Sequence, residues 1–323
     1  MRAVILETTG PAENLHLVET APGEPGPGEI RIRHDAIGVN FVDIYQRRGL
    51  YPLPGLPAVL GVEGAGVVEA IGAGVQGFGL GDRVTYAGLP VGGYQETRVI
   101  GAGRLLHLPD AIASRTAAAA MLRGLTAYML LFRVYPVGPG TTVLVHAAAG
   151  GLGLILTQWA KRLGATVIGT VGSEEKAEIA IAHGLDHAIL YRSVDVVAET
   201  RRLTDGRGVD VAYDGIGGDM LQRTLDCVRL FGTVASVGQA GGAIPPIDVN
   251  EIGPRRSLSL ARPSVLHFAN DPVAYRTAAK AVFAVLKEGL VVTIGTELDL
   301  ADAVEAHRIL ESGRSSGSVL LRP

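Results

Sequence analysis

The sequence predicts an α/β protein in which a doubly wound parallel sheet interrupts a second, strand-rich domain. The chain has 323 residues, about twice the length of an average domain, so two domains are expected. Its first hundred residues contain short apolar stretches at β spacing, and from residue 114 onward strand and helix patterns alternate. That alternation is typical of a parallel sheet with helices on both faces.

Composition excludes several classes of protein. Hydrophobic residues make up 47% of the chain and charged residues 19%, which is enough apolar material for folded cores. The net charge of -3 excludes the basic footprint of a dedicated nucleic-acid binder. A single cysteine, Cys227, excludes a disulfide framework and fits a reducing compartment. Glu7 and Gly10-Pro11 stand where a signal peptide needs apolar residues, so we expect a cytoplasmic protein.

The N-terminal part reads mainly as β-structure. Residues 29–34 alternate strictly between polar and apolar side chains, the period-2 pattern of a half-buried strand. Glycine or proline clusters separate this segment from four others of similar character. Strands are therefore predicted at 3–7, 29–34, 64–71, 82–86 and 93–100. Short strands at this spacing suggest a barrel or a sandwich.

The second part alternates between the two kinds of element. A helix is predicted at 114–132, followed by strands at 142–147, 166–171, 188–191, 209–214 and 232–238. Helices are predicted between them at 152–163, 174–183, 194–203 and 220–230. The tail predicts a helix at 273–288, a strand at 291–294, a helix at 300–312 and a strand at 318–321. It is too short for a domain of its own, so we expect domains of 1–124 with 262–323, and 125–261.

One uncharged stretch, residues 134–160, is long enough to cross a bilayer. Prolines and glycines divide it into a turn, a short strand, a glycine loop and a helix. We therefore expect no membrane-spanning segment.

A glycine motif lies between the strand at 142–147 and the helix that follows it. It reads Ala148-x-Gly150-x-x-Gly153, the Rossmann dinucleotide fingerprint with alanine at the first position. Gly150 and its neighbour Gly151 allow the backbone to approach a pyrophosphate, and Gly153 allows the helix to pack on the strand. The helix N-terminus adds unpaired N–H groups and about half a positive charge. A purely structural turn is the alternative, but the strand–turn–helix context favours nucleotide binding.

The end of the second strand of this domain favours NADP over NAD. An NAD-binding domain usually carries an acid there, which binds the ribose 2′-hydroxyl. Here Gly172 and Ser173 follow Val171, and Lys176 lies close by, a combination that suits a 2′-phosphate. Tyr191, with Arg192, closes the third strand and could cover the adenosine. The alternative for both cations is a solvated surface charge.

Several motifs resemble those of a known family, the zinc-free quinone oxidoreductase (zeta-crystallin-like) branch of the medium-chain dehydrogenase/reductase superfamily. The resemblance covers nearly the whole chain in order, through the segments Asn40–Asp43, Arg48–Tyr51, Leu60–Glu63, Gly124–Tyr128, Ala147–Lys161 and Arg262–Ser264. It implies a GroES-like β-barrel catalytic domain interrupted by a Rossmann domain that binds NADPH. It also implies a homodimer formed through the Rossmann domain, in which the strand at 232–238 could extend the sheet.

The resemblance also implies that no zinc is bound. Zinc-dependent relatives carry a cysteine where this chain has Asn40 and a histidine where it has Val62, and their four-cysteine lobe is missing. Without a Lewis acid the acceptor should already be electron-poor. A quinone meets this need, and a small-molecule quinone is the expected substrate. Reduction of the double bond of an enal or enone is the alternative, with nucleic-acid binding or a structural role as minor ones.

Candidate site residues come from the same resemblance. Asn40 should hydrogen-bond near the nicotinamide or the substrate, and Thr126 should contact the nicotinamide end. Tyr45 and Tyr51 are expected to line the quinone pocket, where aromatic faces suit flat rings. The remaining expected cofactor contacts are Gly238 and Gln239 at the carboxyl edge of the sheet, and Arg262 and Arg314 as weaker candidates.

Overall fold

The computed structural model describes all 323 residues, which form two compact units. Met1–Leu125 and Leu266–Pro323 make up one unit, and Thr126–Val265 makes up the other. The second boundary leaves residues 262–265, which the sequence assigned to the catalytic domain, in the middle unit.

The helices and strands follow in chain order. The N-terminal part contains β1 (Arg2–Leu6), β2 (Leu15–Glu19), β3 (Glu29–Val39), α1 (Phe41–Arg47), β4 (Ala58–Val59), β5 (Glu63–Ile71), β6 (Arg83–Ala87), β7 (Thr97–Gly101), β8 (Leu106–His107) and α2 (Ser114–Tyr128). The middle part contains β9 (Thr142–Val145), α3 (Gly151–Arg162), β10 (Thr166–Val171), α4 (Glu174–Ala182), β11 (His187–Leu190), α5 (Val196–Leu203), β12 (Val209–Asp214), α6 (Gly218–Cys227), β13 (Val228–Ser236), α7 (Val249–Ile252), β14 (Ser259–Ala261) and α8 (Val265–Phe268). The last part contains α9 (Pro272–Lys287), β15 (Ile294–Asp299), α10 (Ala303–Glu311) and β16 (Ser318–Arg322).

The middle unit is built on one parallel sheet. Its six strands lie in the order β11-β10-β9-β12-β13-β14, and every neighbouring pair is parallel. This is the Rossmann order, in which β10 and β11 are added on one side of β9 and the later strands on its other side. The core contains fully buried aliphatic residues of these strands, among them Leu144, Ile168 and Val234. The predicted doubly wound α/β architecture is confirmed.

The other unit contains two mostly antiparallel sheets. A larger sheet has the order β15-β16-β3-β5-β6-β8, with β7 also paired to β3, and a smaller one has the order β2-β1-β4. The C-terminal strand β16 pairs antiparallel with β3, so the tail closes the sheet that the N-terminal part begins. Its core combines both parts, with Ile37 and Leu60 beside Leu300 and Leu321.

Four predictions about individual elements are wrong. The helix predicted at 220–230 ends at Cys227, and the strands predicted at 93–100 and 291–294 begin only at Thr97 and Ile294. The strand predicted to extend the sheet lies inside it, because β13 pairs with β12 on one side and β14 on the other.

The first of these errors has a local cause in β13. Val209 pairs with Val228, but Val211 pairs with Thr233, so residues 229–232 bulge out of the sheet. The bulge leaves Leu230 and Phe231 63% and 80% exposed, and Phe231 adopts a left-handed conformation with φ of 57°. An apolar pair that reads as the buried end of a helix is therefore on the surface.

One helical stretch, Ser114–Val134, is long and apolar enough to cross a membrane. It consists of α2 and a π-helical continuation, Met129–Val134. Most of it is buried inside the protein, as in the core helix of a globular protein. The uncharged stretch at 134–160 holds β9, the glycine turn and most of α3.

Candidate active site

The glycine turn between β9 and α3 is shaped by close packing of backbone on backbone. A side chain at Gly153 would overlap the carbonyl oxygen of Ala147 and lie 2.8 Å from Cα of Ala148. Gly150 differs, since the only atom near its missing side chain is the same carbonyl oxygen, at 3.2 Å. Gly153 is thus required by the fold, whereas the absence of a side chain at Gly150 leaves space on the outside of the turn.

Ala148 occupies the first position of the fingerprint and is fully buried. A side chain at Gly169 of β10 would lie 2.5 Å from Cβ of Ala148. The alanine therefore fits because the neighbouring strand carries a glycine opposite it.

The first turn of α3 presents unused N–H groups. Gly150 is the N-cap residue, its side chain cannot cap the helix, and Gly151 is the first helical residue. The N–H groups of the first turn have no partner within a helix and carry its positive partial charge. These N–H groups can donate hydrogen bonds to a phosphate oxygen.

A cationic corner follows β10. The missing side chain of Gly172 would lie 3.1 Å from the Tyr191 hydroxyl and 3.5 Å from Nε of Arg192. Ser173 caps α4 by accepting a hydrogen bond from the N–H of Lys176. Partial burial and the nearby charge of Arg192 lower the pKa of Lys176. Two cations that repel each other in this way are suited to a shared dianion such as a 2′-phosphate.

The carboxyl edge of β12 and β13 is fixed by a buried acid that the sequence analysis missed. One Asp214 carboxylate oxygen accepts the N–H groups of Ile216 and Gly217, at 2.8 and 2.9 Å, and the other accepts the Thr224 hydroxyl at 2.8 Å. Gly217 packs against Gln239, because a side chain there would lie 2.8 Å from Cα of Gln239.

Arg262 also binds residues at this edge of the sheet. Its guanidinium donates to the Ser236 hydroxyl at 2.7 Å and to the Gly238 carbonyl at 3.2 Å. Arg262 therefore holds the strand end that carries Gly238 and Gln239.

Asn40 lies in the other unit, as the N-cap residue of α1, and is 5% exposed. Its side-chain Nδ2 donates to Glu63 at 2.9 Å, and its backbone N–H donates to Asp43 at 2.8 Å. One buried carboxylate thus holds the Asn40 side chain, and another holds its backbone.

Glu63 is a fully buried carboxylate with several donors. The N–H of Leu122 donates to one oxygen at 2.7 Å, and Arg123 lies 3.4 Å from the other. Burial raises the pKa of Glu63, and the charge of Arg123 opposes that shift. A side chain at Gly38 would lie 2.5 Å from the same carboxylate, so only glycine fits there.

Two aromatic rings adjoin the Asn40 cluster in sequence and pack together. The rings of Tyr45 and Tyr51 lie 5.2 Å apart, and Phe41 lies 6.1 Å from Tyr45. Tyr45 is buried and Tyr51 is half-buried, so Tyr51 has the more accessible ring.

The remaining predicted residues are placed as follows. Thr126 is buried in the last turn of α2, in the Rossmann unit. Arg314 is exposed in the loop between α10 and β16, where only its backbone N–H makes a hydrogen bond, to the Ser312 hydroxyl at 3.2 Å. No group of three or more His, Cys, Asp or Glu side chains could hold a metal ion.

Glu63, Asp43 and Arg123 were not predicted as site residues. The motifs Leu60–Glu63 and Asn40–Asp43 include both acids, so their sequence signal was present but carried no assigned role. Nothing in the sequence connects Arg123 with them.

Comparison with known proteins places the chain in a family. Residues 26–110 match the alcohol dehydrogenase GroES-like domain, and residues 151–271 match the zinc-binding dehydrogenases. The chain is 44% identical over 315 residues to a quinone oxidoreductase of Pseudomonas aeruginosa, covering 97% of both chains. The chain belongs to the quinone oxidoreductase family of the medium-chain dehydrogenase/reductase superfamily.

Other members of the superfamily are similarly close. A 2-haloacrylate reductase of a Burkholderia species is 42% identical over 332 residues, covering 100% of this chain and 99% of that protein. The structure of Escherichia coli quinone oxidoreductase complexed with NADPH matches with a TM-score of 0.96 and 40% identity, covering 100% of both chains. The family relationship inferred from the motifs is confirmed.

Proposed function

We propose that this protein is a quinone reductase that uses NADPH and needs no zinc. The observation that carries the proposal is the 44% identity to a quinone oxidoreductase over 97% of both chains, in a structure with no cluster of His, Cys, Asp or Glu side chains that could hold a metal ion. When bound, NADPH would supply a hydride or electrons to the acceptor. The protein then has to bind and orient the two partners, because a quinone is electron-poor without a Lewis acid.

The cofactor is assigned to the Rossmann unit. The first turn of α3 at Gly150–Gly153 suits the pyrophosphate, and Lys176 with Arg192 suits the 2′-phosphate. Tyr191 would cover the adenosine, while Gly238 and Gln239 would lie beside the nicotinamide half. The structure of Escherichia coli quinone oxidoreductase in complex with NADPH supports NADPH as the cofactor.

The acceptor is assigned to Asn40 and the Tyr45–Tyr51 pair. The half-buried ring of Tyr51 offers a face for a flat quinone, and the Asn40 amide offers an N–H donor at the acceptor oxygen. Thr126 remains a proposed contact at the nicotinamide end, and Arg262 and Arg314 remain weaker candidates for contacts to a phosphate or to the pocket.

The acceptor class is tested by NADPH oxidation against a panel of quinones, enones and alcohols. Quinones should be the fastest acceptors, alcohols should give no turnover with NADP⁺, and a chelator should change neither result. Faster turnover of enones than of quinones would contradict the proposal.

Reduction of an electron-poor carbon–carbon double bond is the second candidate, favoured by the 2-haloacrylate reductase relative. It would need a hydrogen-bond donor for the developing enolate, an interaction worth about 3 kcal/mol in related sites.

Variants of Tyr51 distinguish the two candidates. Tyr51→Phe should keep most of the benzoquinone turnover, whereas Tyr51→Ala should mainly raise KM for the quinone. A 100-fold or larger fall of kcat with Tyr51→Phe would favour the enolate mechanism.

We also propose a cytoplasmic homodimer that forms through the Rossmann unit. β14 is the edge strand of the parallel sheet, and Phe231 and Val249 are 80% and 77% exposed. Exposed apolar side chains beside an unpaired strand edge favour association. Phe231→Asp should shift light-scattering mass toward the monomer, whereas Leu80→Asp, at an exposed leucine of the other unit, should not. A monomeric unmodified protein would contradict the proposal.

A further inference from the structure

A chain of buried hydrogen bonds leads from Asn40 to the surface of the same unit. The Asn40 N–H and the Tyr94 hydroxyl both donate to one Asp43 oxygen, at 2.8 and 3.0 Å. Tyr94 contacts Nε2 of His307 at 3.0 Å, and Arg47 contacts Nδ1 at 3.4 Å. Arg47 ends the chain on Glu311, at 2.6 Å. Asp43, Tyr94, His307 and Arg47 are each 1% exposed or less.

The direction of every bond in this chain follows from its donors. A guanidinium has no acceptor, so Nδ1 of His307 must accept from Arg47 and Nε2–H must donate to Tyr94. The Tyr94 hydroxyl is then free to donate to Asp43. Burial and the charge of Arg47 lower the pKa of His307 to about 3, so the ring is neutral.

This series of hydrogen bonds cannot deliver a proton to a substrate. It ends at the backbone N–H of Asn40, a group that does not release its proton in ordinary acid–base chemistry. What it can do is hold the Asp43 carboxylate, which caps α1 by accepting that N–H. Asp43 fixes the Asn40 backbone, and Glu63 fixes the side chain.

We propose that Tyr94 and His307 are positioning residues for Asn40: through Asp43 they fix the backbone from which its side-chain amide extends. The proposal rests on the proposed function, because that function gives Asn40 its role toward the acceptor. It assigns α10, from the returning C-terminal part, a task beyond packing. The geometry of Asn40 then depends on a helix near the other end of the chain.

A matched pair of variants separates this role from general stability. Tyr94→Phe removes the hydroxyl that joins His307 to Asp43. Tyr86→Phe removes the hydroxyl of another buried tyrosine of the same unit, which bonds the buried His34 at 2.8 Å and makes no hydrogen bond to Asn40 or Asp43. Each variant loses one tyrosine–histidine bond and keeps its ring.

The first readout does not depend on activity. Asn14, Asn40, Asn250 and Asn270 are the four asparagines of the chain. Side-chain amide signals of protein labelled with ¹⁵N-asparagine can therefore be assigned with Asn40→Ser. Tyr94→Phe should shift the Asn40 signal several-fold more than Tyr86→Phe does. Equal shifts, or none, would overturn the proposal.

The second readout is kinetic. Tyr94→Phe should lower kcat with 1,4-benzoquinone about tenfold, as expected for loss of a hydrogen bond to a charged group, and leave KM for NADPH unchanged. Asp43→Asn keeps an oxygen acceptor and should retain most of kcat, whereas Asp43→Ala should lose it. Equal losses in Tyr94→Phe and Tyr86→Phe would contradict the positioning role.

The two proposals fail in different ways. An unmodified protein that reduces no quinone refutes the proposed function, yet the amide signals still test the positioning of Asn40. If the unmodified protein reduces quinones normally but the Asn40 signal does not move in Tyr94→Phe, the positioning role is refuted and the proposed function stands.

Discussion

Cofactor choice depends on a few atoms around Gly172. The Tyr191 hydroxyl and Nε of Arg192 lie beside it, and the charges of Arg192 and Lys176 act on each other. No carboxylate follows β10 until Glu174. Two cations beside Gly172, with no carboxylate at the end of β10 itself, suit a phosphate better than a hydroxyl.

Lys176→Ala should therefore raise KM for NADPH by about 10- to 100-fold and leave KM for NADH nearly unchanged. This range corresponds to a charge-assisted contact of roughly 1.5–3 kcal/mol. Lys161→Ala is a control with the same change of charge in the same unit, at a lysine that pairs with Asp186 on the surface. Equal use of both cofactors by the unmodified protein would refute the assignment.

Asp43 gives stability an unusual dependence on pH. Burial raises its pKa from 3.8 to about 7, more than the bonds from Asn40 and Tyr94 lower it. Above about pH 7 the carboxyl is ionised in both the folded and the unfolded state, so its desolvation penalty is fully present. As the pH falls toward 4, only the folded state binds the proton, which stabilises it.

Asp43→Asn should remove this contribution. The free energy of unfolding of the unmodified protein, relative to the variant, should rise by up to about 1.4 kcal/mol per pH unit between about pH 7 and pH 4. Denaturant unfolding at a series of pH values measures the difference. Parallel curves for the two proteins would show that Asp43 does not titrate in this range.

Sequence motifs indicated individual candidate residues, but they did not indicate contacts between distant segments of the chain. The glycines of the turn and Lys176 could be proposed as site residues because each belongs to a short pattern with a known physical use, and Asn40 because its segment resembles a family motif. The bonds of Asn40 to Glu63, and of Tyr94 to His307, join segments that are far apart in the chain. No periodicity or spacing marks such pairs, since only the folded sheet brings them together.

At the scale of elements, β9 and α3 depend on each other through Gly153. Gly153→Ala should force the helix away from the turn and destabilise the protein by about 1–3 kcal/mol. Gly150→Ala has only the Ala147 carbonyl oxygen nearby. It should change stability little but weaken NADPH binding.

Thermal unfolding without cofactor and NADPH titration separate the two effects. Gly153→Ala should unfold at a lower temperature than Gly150→Ala. A Gly150→Ala protein that binds NADPH normally would contradict the assigned pyrophosphate site.

Elements were predicted best where a continuous apolar run ended at clear boundaries. β10 and β12 begin and end where the sequence predicts, because both are buried runs with clear boundaries. The two-residue strand β4 and the three-residue strand β14 were missed, since such short segments have no period. The exposed pair Leu230-Phe231 was misread because composition does not reveal a bulge.

At the scale of the whole molecule, the chain returns to the sheet it began. β16 pairs with β3, and α10 supplies His307 and Glu311 to the network behind Asn40. The C-terminal part thus contributes buried polar groups as well as apolar core residues. The sequence predicted the return of the tail from its length, but nothing in it predicted these polar contacts.

Quinone reduction by this protein with NADPH should require no metal. This is decided by the steady-state rate with 1,4-benzoquinone and NADPH after dialysis against EDTA, together with elemental analysis of the same sample. An unchanged rate and no stoichiometric zinc are expected. A rate that is lost on chelation and restored by zinc, or about one zinc per chain, would contradict this expectation.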